Sequence, residues 1–197
     1  MDADLFHALS GENIAFSTLT AADAEAMHCY TSDPVAKRFI GWSLMEILEQ
    51  TQAHVAELLR REAAGTHLYA SIVWKKTGEH VGTAMLFSFD HASKNAELGY
   101  VLNRAHWGRG IGTEAVALIC GFAFETLRLH RLSARVIREN VPSARVLEKN
   151  GFLLEGCQKE NCLIEGRYCD TLLYGRVVEQ NLQRAAFFVG SGLDEPN

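Results

Sequence analysis

The chain has only 3 prolines in 197 residues, and nowhere does an uncharged apolar run approach the roughly 18 residues that a membrane-crossing helix needs. The first scarcity excludes a proline-rich, extended architecture, and the second leaves a bilayer-spanning helix without material. The opening segment MDADLFHALSGENIAF has neither a basic start nor a continuous apolar stretch, so it does not read as a secretory leader. The five cysteines (Cys29, Cys120, Cys157, Cys162, Cys169) contain no C-x-x-C pair; an odd set of this kind fits reduced thiols and a cytoplasmic location. Cys157, Cys162 and Cys169 lie close together, but no second ligand pair with structural-zinc spacing accompanies them. The histidines, among them His28, His54, His67 and His106, show no H-E-x-x-H spacing, so no metal is expected. Positive charge is also short. Lys and Arg total 19 against 24 Asp and Glu, a net of −5, which argues against a nucleic-acid partner held by a broad cationic field. The local basic stretch Arg128, His130, Arg131, Arg135 and Arg138 reads either as solvated positions around a strand or as a contact to a nucleotide phosphate or RNA.

What is present is an ordinary globular composition, 48% hydrophobic and 22% charged, sufficient for one core. A single domain over 1–197 is expected, with its core at about 12–178 and a frayed tail SGLDEPN. Ile14 to Leu19 reads as a strand, and Thr20 stands as an N-cap before AADAEAMHCY. Pro34 opens a short helix through Ile40, which Gly41 is placed to end, and a longer helix is expected from Met45 to Ala63. The period then changes to two. Leu68 to Trp74, Val81 to Phe89 and Ala96 to Leu102 read as three successive antiparallel strands. Gly110 to Leu127 is an amphipathic helix, Leu132 to Ile137 a buried strand, and Pro142 to Asn150 a helix. Two strands follow, from Phe152 to near Val178, with a turn at Glu165-Gly166-Arg167. The order is that of an α/β (α+β) domain with helices covering a mixed, largely antiparallel sheet.

The segment with most chemical content is His106-Trp107-Gly108-Arg109-Gly110-Ile111-Gly112-Thr113, between a strand and a helix. Alternating glycines let the backbone turn tightly and approach a ligand, while the free N–H groups of a helix start point outward with the positive end of the helix dipole. Pyrophosphate is a natural occupant, and Arg109 adds a charged donor. No G-K-[ST] follows and no third glycine falls at the dinucleotide position, so neither of those nucleotide motifs is present. An ordinary glycine-rich turn is the other reading of these residues.

WGRGIGTEA resembles the acetyl-coenzyme A loop of the GNAT superfamily, whose pattern is Q/R-x-x-G-x-G/A; Trp107 stands where Gln or Arg is usual, which is typical of the RimJ/RimL-type branch, the ribosomal-protein N-terminal acetyltransferases and their relatives. LTAADAEAMHCYTSDPVAKRFIGW, AELGYVL, ENVPSARVLEKNGFLLEGC and YCDTLLYGR are similar to the same branch in the same order, so the resemblance covers nearly the whole chain. It implies a GNAT-like fold, acetyl-CoA as co-substrate, an amine acceptor (a protein N-terminus or a small molecule) and a possible homodimer.

The resemblance also implies site residues. Trp107, Gly108, Arg109, Gly110, Ile111, Gly112 and Thr113 form the diphosphate cradle. Val101 and Leu102 offer backbone groups to the pantetheine arm, where a donor would also stabilise an oxyanion. Asn140 contacts the arm, and Ser143 lies near the sulfur to protonate the leaving thiolate. The bland reading of Asn140 and Ser143 is capping of a helix start. A protonated amine cannot attack a thioester, so a base is needed; Glu97, in the E-L-G-Y segment, is the first candidate, unless it is an exposed strand carboxylate. Some members carry a carboxylate in the strand after N-G-F, where this chain has Cys162, leaving Glu160 and Glu165 as reserves. Tyr168 and Asp170 are candidates for shaping the acceptor pocket or, equally, for core and hairpin roles; Tyr30, Phe39 and Trp42 read as anchors of the early helices, the alternative being that one of them lines the acceptor cleft. A non-catalytic acyl-CoA sensor of the same fold is the alternative function.

Overall fold

The computed structural model describes residues 3–39, 43–164 and 166–178. The expected helix stop at Gly41, the aromatic Trp42 and the reserve carboxylate Glu165 lie outside them. Seven strands form one sheet: β1 (Ile14–Thr18), β2 (Leu68–Trp74), β3 (Glu79–Asp90), β4 (Asn95–Leu102), β5 (Arg131–Ile137), β6 (Leu153–Ile164) and β7 (Arg167–Val177). Their order across the sheet is β1-β2-β3-β4-β5-β7-β6. Every neighbouring pair is antiparallel except β4 and β5.

Side-chain alternation along the strands divides the core in two. Ala96, Leu98 and Leu102 of β4 join Leu132, Ala134 and Val136 of β5 on the face covered by α5 (Ile111–Gly121) and α6 (Val141–Lys149). Val101 faces the other way, with Tyr69, and is covered by α2 (Ala24–Thr31) and α4 (Leu48–Ala63) through Met27, Tyr30, Val55 and Leu58. A short α3 (Pro34–Lys37) follows α2, with the Asp33 side chain accepting from the Val35 amide at 2.8 Å.

Among the differences from the sequence expectation, three have a visible physical cause. An additional helix, α1 (Ala3–His7), precedes β1; Phe6 is fully buried, with ring centroids 5.4 Å from Phe16 and 5.2 Å from Phe122. Five residues with one apolar anchor are too few to display a helical period. Helix α4 starts at Leu48, because the Gln50 side chain folds back to accept from the Glu46 amide at 2.7 Å and so caps the helix. The expected single helix to Leu127 is α5 followed by a π-helical turn over Phe122–Thr126.

The feature that positions the site is a fork. β4 and β5 pair in parallel only at Asn95 with Arg131, Ala96 with Leu132 and Glu97 with Ser133; beyond that both strands continue, to Leu102 and Ile137, without pairing to each other. β4 stays on β3, and β5 stays on β7. Backbone groups along the open edge of β4 are therefore left for another partner.

Candidate active site

In an antiparallel ladder each residue turns its N–H and C=O toward the same neighbour, and successive residues alternate. The Asn103 amide donates to the Val81 carbonyl of β3 at 2.8 Å, which sets the parity: Val101 also faces β3, and Leu98, Tyr100 and Leu102 face the fork. Of the two expected backbone contacts, Leu102 is at the fork and Val101 is not. Val101 contributes its side chain to the α2/α4 core instead.

At the mouth of the fork the chain makes a 3-10 turn (Arg104–His106), capped by the Asn103 side chain on the Ala105 amide at 3.0 Å. Trp107, 39% exposed, donates its indole N–H to the Leu102 carbonyl at 3.0 Å, so the residue that replaces the usual Gln or Arg ties the loop to the end of β4. Gly108 (φ 73°) and Gly110 (φ 81°) are both left-handed, and a Cβ on either would meet nothing within 4 Å. They are required by the backbone turn, and the space above them is open. No side chain caps α5, whose first intrahelical donor is the Glu114 amide to the Gly110 carbonyl at 3.0 Å. The amides of Ile111, Gly112 and Thr113 precede it and have no intrahelical acceptor. A run of unclaimed N–H groups at the positive end of an 11-residue helix, beside open space, fits a diphosphate. The Arg109 guanidinium lies 5.1 Å from the Trp74 ring centre, at the edge of this cradle. The Thr113 carbonyl accepts from the Asn150 amide side chain at 3.2 Å, holding α5 against the end of α6.

Deeper in the fork, Tyr100 meets Ser143. The tyrosine hydroxyl donates to Ser143 Oγ at 3.4 Å. Its ring packs on Gly112, where a Cβ would fall 3.0 Å from Tyr100 Cε2, so the third glycine of the loop lets α5 close on β4. Burial pushes the Tyr100 pKa up, with the Ser143 contact opposing. Asn140 caps α6 with its side-chain oxygen accepting from the Ser143 amide at 3.2 Å, the bland role that its residue type allowed. That cap fixes Ser143 in the first turn of α6, facing Tyr100.

Glu97 lies on the opposite face of the sheet from Tyr100, because the two are three positions apart on one strand, an odd offset. Its side chain is 12% exposed, and Oε2 accepts from Arg135 Nη2 at 2.9 Å and Nε at 3.2 Å; Arg135 itself is 58% exposed. Both bonds fall on one oxygen, so Oε1 is left for another donor. The reserves are placed elsewhere. Glu160 is exposed at an irregularity of β6, with φ 51° and its amide donating to Asp170 at 3.0 Å. Asp170 is held below the usual carboxylate range, chiefly by that amide and then by Arg138, 3.0 Å away. Cys162 pairs across the hairpin with Cys169, and Tyr168 is 68% exposed. Cys120 is buried within α5, which pushes its thiol up to about 11 and leaves it a poor nucleophile.

Tyr100 was not singled out in the sequence, although it lies in the E-L-G-Y segment; nothing local signals that it meets a helix starting forty residues later. A second feature also escaped. An open cleft of about 180 Å³ lies between α2, α4, β2 and β3, on the same face as Glu97.

A sheet forked beside a parallel pair, with a glycine-rich helix start at its mouth, defines an acyl-coenzyme A transferase fold. The chain belongs to the acetyltransferase (GNAT) domain family, whose model matches residues 13–153. Within it the chain is of the RimJ/RimL type. It is similar to the N-acetyltransferase p20 of Bacillus licheniformis (29% identical, covering 83% of this chain and 92% of that protein). Two Escherichia coli relatives match about half of the chain: a ribosomal-protein-serine acetyltransferase (31%, covering 53% of this chain and 58% of that one) and spermidine N(1)-acetyltransferase (30%, covering 46% and 49%). Among solved structures, Mycobacterium smegmatis RimJ in complex with CoA-disulfide is 26% identical with a TM-score of 0.77, over 86% of this chain and 84% of that one. The protein is an acetyl-CoA-dependent N-acetyltransferase.

Proposed function

We propose that the acceptor is the α-amine of a protein N-terminus and that it attacks the acetyl thioester directly, in a ternary complex at the fork. The observation that carries this reading is the placement of a candidate base and a candidate acid on opposite faces of β4: Glu97 on the α2/α4 face, and the Tyr100–Ser143 pair on the α5/α6 face. An amine entering from the first face loses its proton to Glu97, directly or through water. Its nitrogen bonds to the acetyl carbon, the second nitrogen proton passes to solvent as the tetrahedral adduct collapses, the carbon–sulfur bond breaks, and the thiolate leaves on the second face. Ser143 accepts from Tyr100, so its own hydrogen is free to go to the sulfur, and Tyr100 replaces it and takes a proton from solvent in turn. The fork-facing amides of β4, with Leu102 among them, are the donors for the pantetheine arm and for the oxyanion. Gly108 to Thr113 hold the diphosphate. Acetyl-CoA supplies the activated acetyl group.

An α-amine is favoured over a lysine side chain because its reference pKa is about 7.7–8.0 rather than about 10.4, so more of it is neutral near pH 7. The ribosomal-protein-serine acetyltransferase relative supports a protein acceptor. The test is a panel of N-terminal peptides, the same peptides with blocked N-termini and an internal lysine, and polyamines, read by free-thiol release and product mass. Acetylation of unblocked peptides alone is expected. Transfer to polyamines or lysine with none to α-amines would overturn the assignment, and an acetyl group retained on the protein after acetyl-CoA alone would overturn direct attack.

A further inference from the structure

We infer that the cleft between α2, α4, β2 and β3 receives the side group of the acceptor, and that it selects an amine carrying an aromatic or other large apolar group close to the nitrogen. This rests on the fork being the transfer site.

The cleft lies beside the fork. On the shared face, Phe87 of β3 is the register partner of Glu97, and Met85 is the partner of Gly99. Gly99 is the first residue on this face beyond the point where β4 and β5 part. A Cβ there would fall 3.1 Å from Met85 Cγ and 3.2 Å from Sδ, so the thioether lies across bare backbone, as a threshold between cleft and fork. One strand spacing, about 5 Å, separates the two, which is the reach from an amine to the group on the next carbon or two.

Capacity and lining point to the same occupant. About 180 Å³ is slightly more than the ~150 Å³ apolar cavity that accommodates benzene. Met27, Leu58, Met85 and Phe87 supply an apolar surface of which the two methionines can adapt. His67 forms a stack with Tyr69 (centroids 5.4 Å, 11° between planes) and Phe87 (5.8 Å, 8°), which presents ring surface to a further ring.

The charge is wrong for a polycation. Among the described residues no carboxylate lines the cleft, whereas Arg61 does, bonded to Glu57 at 2.7 Å. Burial, with Arg61 adding to it, lowers the pKa of both His54 and His67, so near neutral pH the rings are uncharged walls. An ammonium group inside would meet a guanidinium whose bonded carboxylate, Glu57, does not line the cleft.

The experiment uses phenethylamine, n-butylamine and spermidine as probes, with kcat/KM for acetylation and, separately, equilibrium binding of phenethylamine by calorimetry in the presence of coenzyme A. Wild type is expected to prefer phenethylamine to both others by at least about tenfold. Leu58→Trp, which fills the cleft, should abolish that preference through KM while leaving kcat/KM for n-butylamine within about threefold; Phe87→Ala, at a partly exposed strand position, should weaken it without filling anything. Melting curves establish that both variants fold. Absence of a preference in wild type, or its survival in Leu58→Trp, overturns the pocket and leaves the transfer site standing. Binding of phenethylamine that Leu58→Trp abolishes, with no acetylation of any amine, keeps the pocket and overturns the transfer site.

Discussion

Tyr100 Oη stands 3.4 Å from Ser143 Oγ, joining a strand of the fork to the first turn of α6. The contact places two hydroxyls in series on the α5/α6 face, and burial raises the tyrosine pKa, so it keeps its proton throughout the neutral range. Tyr100→Phe should therefore lower kcat by roughly tenfold and Ser143→Ala by more, within the 10²–10⁴ range of general acid catalysis, with the dissociation constant for coenzyme A nearly unchanged. Steady-state kinetics with parallel cofactor titrations checks this. Equal losses in kcat and in cofactor affinity would mean that the pair only shapes the cofactor groove.

On the other face the question is whether Glu97 works or merely pairs with Arg135. Arg135 is exposed, so the pair is worth little to stability, and Arg135→Gln should leave the melting temperature nearly unchanged. Glu97→Gln should reduce kcat/KM for the amine by at least about 10²-fold, while Arg135→Gln keeps activity within about threefold. If both variants lost activity equally, the ion pair as a structural unit would explain the effect, and the base would have to be sought elsewhere.

The sequence made some of this site legible and hid the rest for a physical reason. The loop from Trp107 to Thr113 is contiguous, and the proposal that it cradles a diphosphate rests on glycine spacing at a helix start, both local properties. Glu97 was a candidate from its segment alone, whereas its bond to Arg135 needed the parallel pairing of β4 with β5. The direction of Val101 depended on the hydrogen-bond parity of β3 and β4, which composition does not encode; a one-residue shift would have exchanged its role with Leu102. His54 and His67 read as scattered because one lies in α4 and the other just before β2, and they meet only when α4 folds across β2. The order of the strands and main helices emerged from period and turn residues, and the boundaries that moved were those fixed by a side chain reaching back, as Gln50 does, or by a single buried anchor, as in Phe6.

The interior of the α2/α4 face carries a pH dependence of stability. The His80 side chain is 7% exposed, with Nδ1 3.2 Å from Asp23 and Nε2 3.1 Å from the Tyr30 hydroxyl, which in turn bonds Thr83 at 2.7 Å. Burial lowers its pKa, with Asp23 opposing, and burial likewise lowers those of His54 and His67. For a histidine whose folded pKa is depressed, the unfolded chain binds protons first as pH falls through about 6.5, so the folded state loses stability below that value and regains it above. Thermal melts should show a falling transition temperature from pH 7.5 to pH 5.5. His80→Asn should reduce the slope, and a flat wild-type profile would contradict neutral burial of these rings.

The cradle can be tested by separating its backbone demand from its ligand. Gly110 has φ 81° and open space where a Cβ would project, so Gly110→Ala carries only the conformational cost of a left-handed residue, about 1–2 kcal/mol, without a clash. Gly110→Asp carries the same cost and adds a negative charge beside the unclaimed amides of Ile111 to Thr113. The two variants should therefore melt at similar temperatures, both somewhat below wild type, while their affinities for coenzyme A diverge. Gly110→Ala is expected to bind within about fivefold of wild type, and Gly110→Asp at least about tenfold more weakly, because the carboxylate competes for the helix start and repels the diphosphate. Calorimetry at two salt concentrations checks the cause, since the difference between the variants should shrink as salt screens the charge. Equal affinities for the two variants would show that the diphosphate is held elsewhere, and with it the orientation of the thioester in the fork would have to be abandoned.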